Sequence, residues 1–258
     1  MDPCWANSMS TVQNVRNITT NGLVLFLDAA NPKSYVSGST TWNDLTLNQN
    51  TTTLVNGPTY SSLFAGGIVF DATNDYGAVT TTAADRLRWA NYWTGTSANQ
   101  MTIICVITAD FTNGNIRDGI IGQQYYYGLG FSFEIHGNGL AVSPAFNIGA
   151  NANFQNLNTP TWSAYTNIPV FISLTHDGTT KAINYSLNNT FYSTGLPQVV
   201  SGGTYMSDVT NNVQLVQYTS AGGYRGKTIH YLSVYNRVLS NSEVSQIYNS
   251  VRGRFKLP

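Results

Sequence analysis

Charge is scarce in this sequence: only 9% of its 258 residues are Asp, Glu, Lys or Arg, against about 25% in ordinary soluble domains. The 12 cations balance the 12 acids, leaving no net charge. That excludes a nucleic-acid binder, whose affinity comes from clustered Lys and Arg neutralising phosphates. The one tight cationic group, Arg252, Arg254 and Lys256, lies where it complements the C-terminal end of a helix. Glutamate is rarer still, with Glu134 and Glu243 the only two. A retaining glycosidase needs two carboxylates about 5 Å apart, and Glu243 belongs to a helix cap, so the chain reads as non-enzymatic. His136, His176 and His230 are isolated from one another and show no metal-ligand spacing; they read as structural residues, His136 and His176 at strand ends or turns. No Gly-x-Ser-x-Gly, phosphate loop or dinucleotide fingerprint occurs. Of the two cysteines, Cys4 sits in a polar leading segment and Cys105 inside the apolar run Met101 to Ile107, where it reads as a buried free thiol. No stretch approaches the ~20 apolar residues of a membrane helix, and the first residues lack the basic and apolar regions of a secretory signal.

What the chain does have is apolar and aromatic mass, 42% and 12% of residues, enough to build a core under a surface made polar by Asn, Thr, Ser and Gln. Residues 1–20 are polar and irregular and read as an N-terminal arm; 21–258 read as one domain. From Gly22 onward, short β-rich runs are broken every ten residues or so by Asn, Gly, Asp and Thr. The clearest runs are 23–27, 67–70, 102–107, 131–135, 170–174, 182–186 and 229–235. In Phe131, Phe133 and Ile135 the apolar side chains alternate with Ser132 and Glu134, which predicts a half-buried antiparallel strand. Asn188-Asn189 is placed to close a turn. Near the end, Ser240-Asn-Ser-Glu243 has the form of a capping box, and Val244, Ile247, Tyr248 and Val251 follow at helical spacing. This predicts one short helix, ended near Gly253 and docked on the sheets, because a few turns are marginal in water alone. The expected class is therefore all-β, an antiparallel two-sheet sandwich with one C-terminal helix.

Three segments carry a resemblance: Gly22-Leu-Val-Leu-Phe-Leu-Asp28 with Asn31-Pro32-Lys-Ser-Tyr35, then Trp42-Asn-Asp44-Leu45, then Val69-Phe70-Asp71-Ala-Thr-Asn74-Asp75-Tyr76. With Thr175-His-Asp177-Gly178, Val234-Tyr235-Asn236-Arg237-Val-Leu-Ser240 and Arg252-Gly-Arg-Phe255, the pattern resembles concanavalin A-like, laminin-G-type jelly-roll domains from Gly22 to Phe255. Its closing part is similar to versions in phage and large-virus structural proteins. The resemblance implies a concanavalin A-like jelly roll at a virion surface, as capsid decoration, tail or fibre. Its partners would be other virion proteins, further copies of itself, or host-surface glycans, and a lectin-like adhesin is the alternative it implies. Glucanases of this fold use a Glu-x-Asp-x-Glu cluster, which this chain lacks.

Two sets of residues are candidate sites. Tyr125, Tyr126 and Tyr127, flanked by Gln123 and Asn138 with Gln124 and Glu134 in addition, offer aromatic rings for a pyranose face beside hydrogen-bonding groups. The same tyrosines suit a protein interface or plain packing inside the sandwich. Asp28, Asp71 and Asp75 offer hard oxygen ligands, for which Ca2+ is the candidate cofactor. The preferred reading of Asp71 to Asp75 is a polar turn whose side chains satisfy backbone N–H groups, and His230-Tyr231 stands where calcium-binding relatives often carry Asp-Glu. Trp89, Tyr92 and Trp93 beside Arg86 and Arg88 form a further contact patch.

Overall fold

The computed structural model describes residues 18–80, 100–112, 117–122, 131–136, 139–144, 146–147, 155–157, 162–177, 180, 182–193, 204–205, 213–216 and 226–258. In chain order the strands are β1 (Leu23–Asp28), β2 (Thr41–Trp42), β3 (Thr51–Val55), β4 (Thr59–Ser61), β5 (Gly67–Phe70) and β6 (Tyr76–Thr80). Then come β7 (Gln100–Ala109), β8 (Arg117–Gly122), β9 (Phe131–His136), β10 (Gly139–Pro144), β11 (Phe146–Asn147) and β12 (Gln155–Leu157). The last are β13 (Val170–Asp177), β14 (Ala182–Leu187), β15 (Thr190–Ser193), β16 (Thr204–Tyr205), β17 (Val213–Leu215) and β18 (Lys227–Tyr235), followed by helix α1 (Asn241–Phe255).

Two antiparallel sheets form the sandwich. The first runs β15-β14-β13-β7-β18-β5-β4, and the second β12-β10-β9-β8-β17-β6-β3-β2; β11 and β16 pair separately. The last strand, β18, organises the first sheet. One side of it pairs with β7; on the other, Lys227 to Ile229 pair with β5 and Tyr231 to Tyr235 with β1. At the changeover the ladder against β7 slips, with Ile229 opposite Ile107 and Tyr231 opposite Val106, so His230 is the extra residue of a bulge.

The middle of the first sheet is buried on both faces. Ile103, Cys105, Ile107, Ile172, Leu174, Leu232 and Val234 pack inward with Val79, Ile121, Phe133, Val213 and Leu215 of the second sheet. Phe26, Ile104, Val106, Phe171, Tyr231 and Tyr235 face the other way, beneath Val244, Ile247, Tyr248, Val251 and Phe255 of α1. A strand buried on both sides reads as an unbroken apolar run, which is the form of Met101 to Ile107. Cys105 is a buried free thiol, as expected. The alternation in β9 misleads, however: Phe133, Glu134 and Ile135 are all fully buried, so this strand is covered on both faces rather than half-buried.

The capping box of α1 forms as the sequence predicts, Ser240 accepting from the Glu243 backbone while the Glu243 carboxylate accepts from the Ser240 N–H at 2.9 Å. The helix does not stop at Gly253. It continues to Phe255, whose buried ring anchors a further turn, and ends at Lys256 in the left-handed region (φ 55°, ψ 38°), with the Leu257 N–H on the Arg252 carbonyl. Of the expected arm, Ile18 to Thr20 lie against the sandwich: Ile18 is buried, and Tyr235 Oη donates to the Thr19 carbonyl at 3.1 Å. Residues 1–17 are outside the described part.

Candidate functional site

Five sequence-predicted ligand residues, Gln123, Tyr125, Tyr126, Tyr127 and Asn138, lie outside the described residues, as do Arg86, Arg88, Trp89, Tyr92 and Trp93. Glu134 is described and fully buried, so it is no part of a surface sugar site.

The three aspartates are divided between two places. Asp28, wholly buried at the end of β1, receives Arg254 Nη1 at 2.7 Å and the Ala30 N–H at 3.1 Å. Burial raises its pKa, and the Arg254 charge opposes that shift. Asp71 and Asp75 interlock in the turn after β5. Asp71 Oδ1 accepts the N–H groups of Thr73, Asn74 and Asp75 at 2.9, 3.1 and 3.3 Å, while Asp75 Oδ2 accepts that of Asp71 at 2.9 Å. These bonds to the charged form lower the Asp71 pKa. Among the described residues no group of three or more His, Cys, Asp or Glu comes together, so the structure does not join Asp28, Asp71 and Asp75 into one ligand set.

Most of the residues that carry the family resemblance are occupied in holding loops to strands. Asp44 Oδ1 accepts from the backbone of Phe26 and Thr46, and its Oδ2 from Asn50 N–H and Thr46 Oγ1, all within 3.0 Å. Arg237 Nε donates to the Asn21 carbonyl at 2.8 Å, and its other nitrogens reach Thr19 and both oxygens of Glu243. That pair, with the cap, depresses the Glu243 pKa to about 2. Gly22 (φ 78°) accepts the Asn236 N–H through its carbonyl, and a Cβ there would stand 2.8 Å from Asn236 Oδ1. His230 at the bulge contacts the Gly66 carbonyl through Nδ1 at 2.7 Å and Thr108 Oγ1 through Nε2 at 2.9 Å. A carbonyl only accepts, so Nδ1 carries the proton and Nε2 accepts from Thr108.

An open groove lies on the helix-bearing face of the first sheet, beyond the end of the helix cover. Strand register sets two rows of side chains across three strands: Ser173 opposite Ser186 opposite Phe191, and Thr175 opposite Asn184 opposite Ser193. The intervening Ile183, Tyr185 and Leu187 turn inward to the core, where Tyr185 stacks on Tyr192 at 5.0 Å. The first turn of α1 supplies the side wall through Asn241 and Val244, held by a bond of 2.7 Å from Ser245 Oγ to Asn189 Oδ1 of the β14–β15 turn. The cavity measures about 270 Å³, and none of the described residues that line it is charged. Ser173 and Ser186 satisfy each other at 2.6 Å. The side-chain amides of Asn184 and Asn241 make no hydrogen bond to another described residue, and Phe191 is exposed beside them. Sequence reasoning passed over this groove. A signal was present, because adjacent Phe191 and Tyr192 on a strand of period two must place one ring outside.

No protein-family model matches the sequence, and no curated protein matches it. Among solved structures the chain is similar to the binding domain of botulinum neurotoxin DC in complex with SialylT, with a TM-score of 0.67 and 13% identity over 89% of this chain and 52% of that one. It is also similar to the binding domain of Paraclostridial Mosquitocidal Protein 1 (TM-score 0.65, 14% identity, 89% and 52% covered). A third similar structure is the receptor binding domain of botulinum neurotoxin D (0.61, 12%, 88% and 52%). The chain thus spans about half the length of these proteins. Identities this low carry the fold, a jelly-roll-like β-sandwich, and nothing further.

Proposed function

We propose that this domain is a non-enzymatic recognition module that binds carbohydrate displayed on other molecules. One observation carries the reading: the open groove beside α1 is lined by hydroxyls, amides and an exposed aromatic ring, with no acid or base among the described residues of its lining. Such a surface can bind a polyhydroxylated ligand and lacks the groups to cleave one. Several carboxylates that catalysis would call on are engaged elsewhere, Asp28 by Arg254, Asp44 by backbone N–H groups and Glu243 by the helix cap and Arg237. Support of a weaker kind comes from structural neighbours whose names describe binding domains, one in complex with SialylT and another with rat synaptotagmin II.

A glycan array probed with the purified chain, once with calcium and once with EDTA, tests this. Saturable binding to a defined glycan is the expected result, and silence in both conditions rejects it. Loss of binding in EDTA alone would assign calcium a part, with Asp71 and Asp75 the first residues to substitute.

The finer reading is a concanavalin A-like, laminin-G-type domain on a virion surface, as capsid decoration or tail fibre, its partners other virion proteins or copies of itself. It rests on the closing motif from Val234 to Phe255. Its test is incorporation into particles with and without residues 1–20: loss on deletion supports an anchoring arm, and unchanged incorporation rejects one.

A further inference from the structure

We infer that the groove between β13, β14, β15 and the first turn of α1 is a subsite for an uncharged pyranose, with Phe191 as its stacking platform and Asn184 and Asn241 as its hydrogen-bonding walls. This deepens the recognition reading above and rests on it.

Under α1 the outer face of the first sheet is largely apolar, with Phe26, Ile104, Val106, Phe171 and Tyr231, broken by Asp28, which Arg254 pairs, and by buried Ser233. Where the helix ends its cover, the same face becomes Ser173, Thr175, Asn184, Ser186 and Ser193, a change from apolar to hydroxyl and amide within the length of β13. Ser173, Thr175 and Ser186 are buried in the floor, Ser173 and Ser186 bonded to each other, whereas Asn184 is half-buried and Phe191 and Ser193 are exposed at the rim. An aromatic ring on the polar face of a strand gives up apolar burial that an inward position would have supplied, at 25 cal/mol or so per Å², and Tyr192 beside it takes the inward position.

Ligand class follows from what lines the cavity. A pyranose presents an apolar C–H face on one side and equatorial hydroxyls around its rim. The first is met by a ring and the second by groups that both donate and accept, which carboxamides do and charged side chains do not. The amides of Asn184 and Asn241 are uncommitted within the described structure. Among the described residues no cation lines the groove to neutralise a carboxylate, and Arg237, on the approach to α1, is paired with Glu243. A sialylated or sulfated sugar would therefore lose its hydration without gaining an ion pair. A volume of about 270 Å³ is just below the ~300 Å³ at which pockets for drug-sized ligands begin, so one or two rings fit and a long oligosaccharide extends into solvent.

The test is a titration of the full chain with the methyl glycosides of glucose, galactose, mannose and N-acetylglucosamine, with sialyllactose as the charged control. At least one neutral glycoside binds saturably, and sialyllactose binds about tenfold more weakly or not at all. Phe191→Ala weakens the neutral ligand by about tenfold and Asn184→Ala or Asn241→Ala by roughly three- to tenfold each, with unchanged melting temperatures. Phe191→Trp retains binding, and its indole emission changes on saturation, which separates a lost platform from a lost fold. Neutral-sugar binding at wild-type affinity in all three alanine variants places the sugar elsewhere and overturns the site while leaving the recognition reading intact. Preference for sialyllactose overturns the ligand class. Silence toward every glycoside and across the array overturns both.

Discussion

His176 is a base enclosed in apolar surroundings. Burial holds its pKa down to about 3, against 6.5 for the free side chain, with Asp177 opposing weakly. Burial also lowers His230. Because the unfolded chain binds the proton that folded His176 excludes, this stabilisation is fully present above pH ~6.5 and is lost as pH falls toward 3, by about 1.4 kcal/mol per pH unit for His176, and His230 acts in the same direction. Urea denaturation between pH 7 and pH 4.5 should show that slope, and His176→Gln should flatten it; an identical slope in the variant would remove His176 as the cause. Glu243 works in a lower window. Its pKa is depressed from 4.5 to about 2, so its contribution is present above pH ~4.5 and fades below. The melting-temperature deficit of Glu243→Gln should therefore shrink between pH 6 and pH 3.

Asp28 and Arg254 set a different balance. Asp28 is wholly buried, and the Arg254 side chain is about a quarter exposed. Removing only the arginine leaves a carboxylate uncompensated in the interior, so Arg254→Ala should cost about 3 kcal/mol, a drop of roughly 6 to 12 °C in melting temperature for a domain of this size. The double variant Asp28→Asn with Arg254→Met should recover most of it, and a double variant no better than the single would show that the pair's charge is not what matters.

At the scale of elements, α1 is held by its cap, its buried stripe and its contact with the β14–β15 turn. Ser240→Ala removes the acceptor for the Glu243 backbone and should cost about 1 kcal/mol, read as a shift in urea midpoint. The turn itself is built by asparagine: Asn188 and Asn189 both have positive φ, 44° and 67°, and Asn188 Oδ1 accepts the Phe171 N–H at 3.0 Å. Asn189→Ala must adopt the left-handed region at a cost of about 1 kcal/mol, whereas Asn189→Gly escapes that cost and loses only the bond from Ser245. Equal destabilisation by both would mean that the bond, not the backbone, sets the turn. The helix boundary illustrates how an element exceeds its local signal. Gly253 is a good terminator by propensity, yet burial of Phe255 beneath the first sheet outweighs the ~1 kcal/mol a helical glycine costs.

For the whole molecule, the supporting contacts gather where β1, β18 and α1 meet. The family-like residues, Asp28, Asp44, Gly22, Asn236, Arg237 and Ser240, tie β1, β18 and α1 into one unit. A jelly roll built this way leaves its outer surface free to vary, and fold by itself does not assign function. Among the described residues no helix is long and apolar enough to cross a membrane.

Local chemistry in the chain determined the strands at 23–27, 67–70, 102–107, 170–174, 182–186 and 229–235, the Asn-Asn turn and the capped helix, because period-two and helical patterns, turn residues and capping boxes act over a few residues. It also marked Asp71 to Asp75 as a self-satisfying turn. Tertiary structure alone decided the rest. That Glu134 is buried depends on what covers β9; that Arg254 answers Asp28 depends on two positions 226 apart in sequence folding back together; that His230 is a bulge depends on β18 exchanging β5 for β1 as its partner. The groove belongs to this second group. Its floor comes from the register of β13, β14 and β15 and its wall from where α1 begins, and neither is written in any one segment, because side chains far apart in sequence meet only once the sheets and helix have packed.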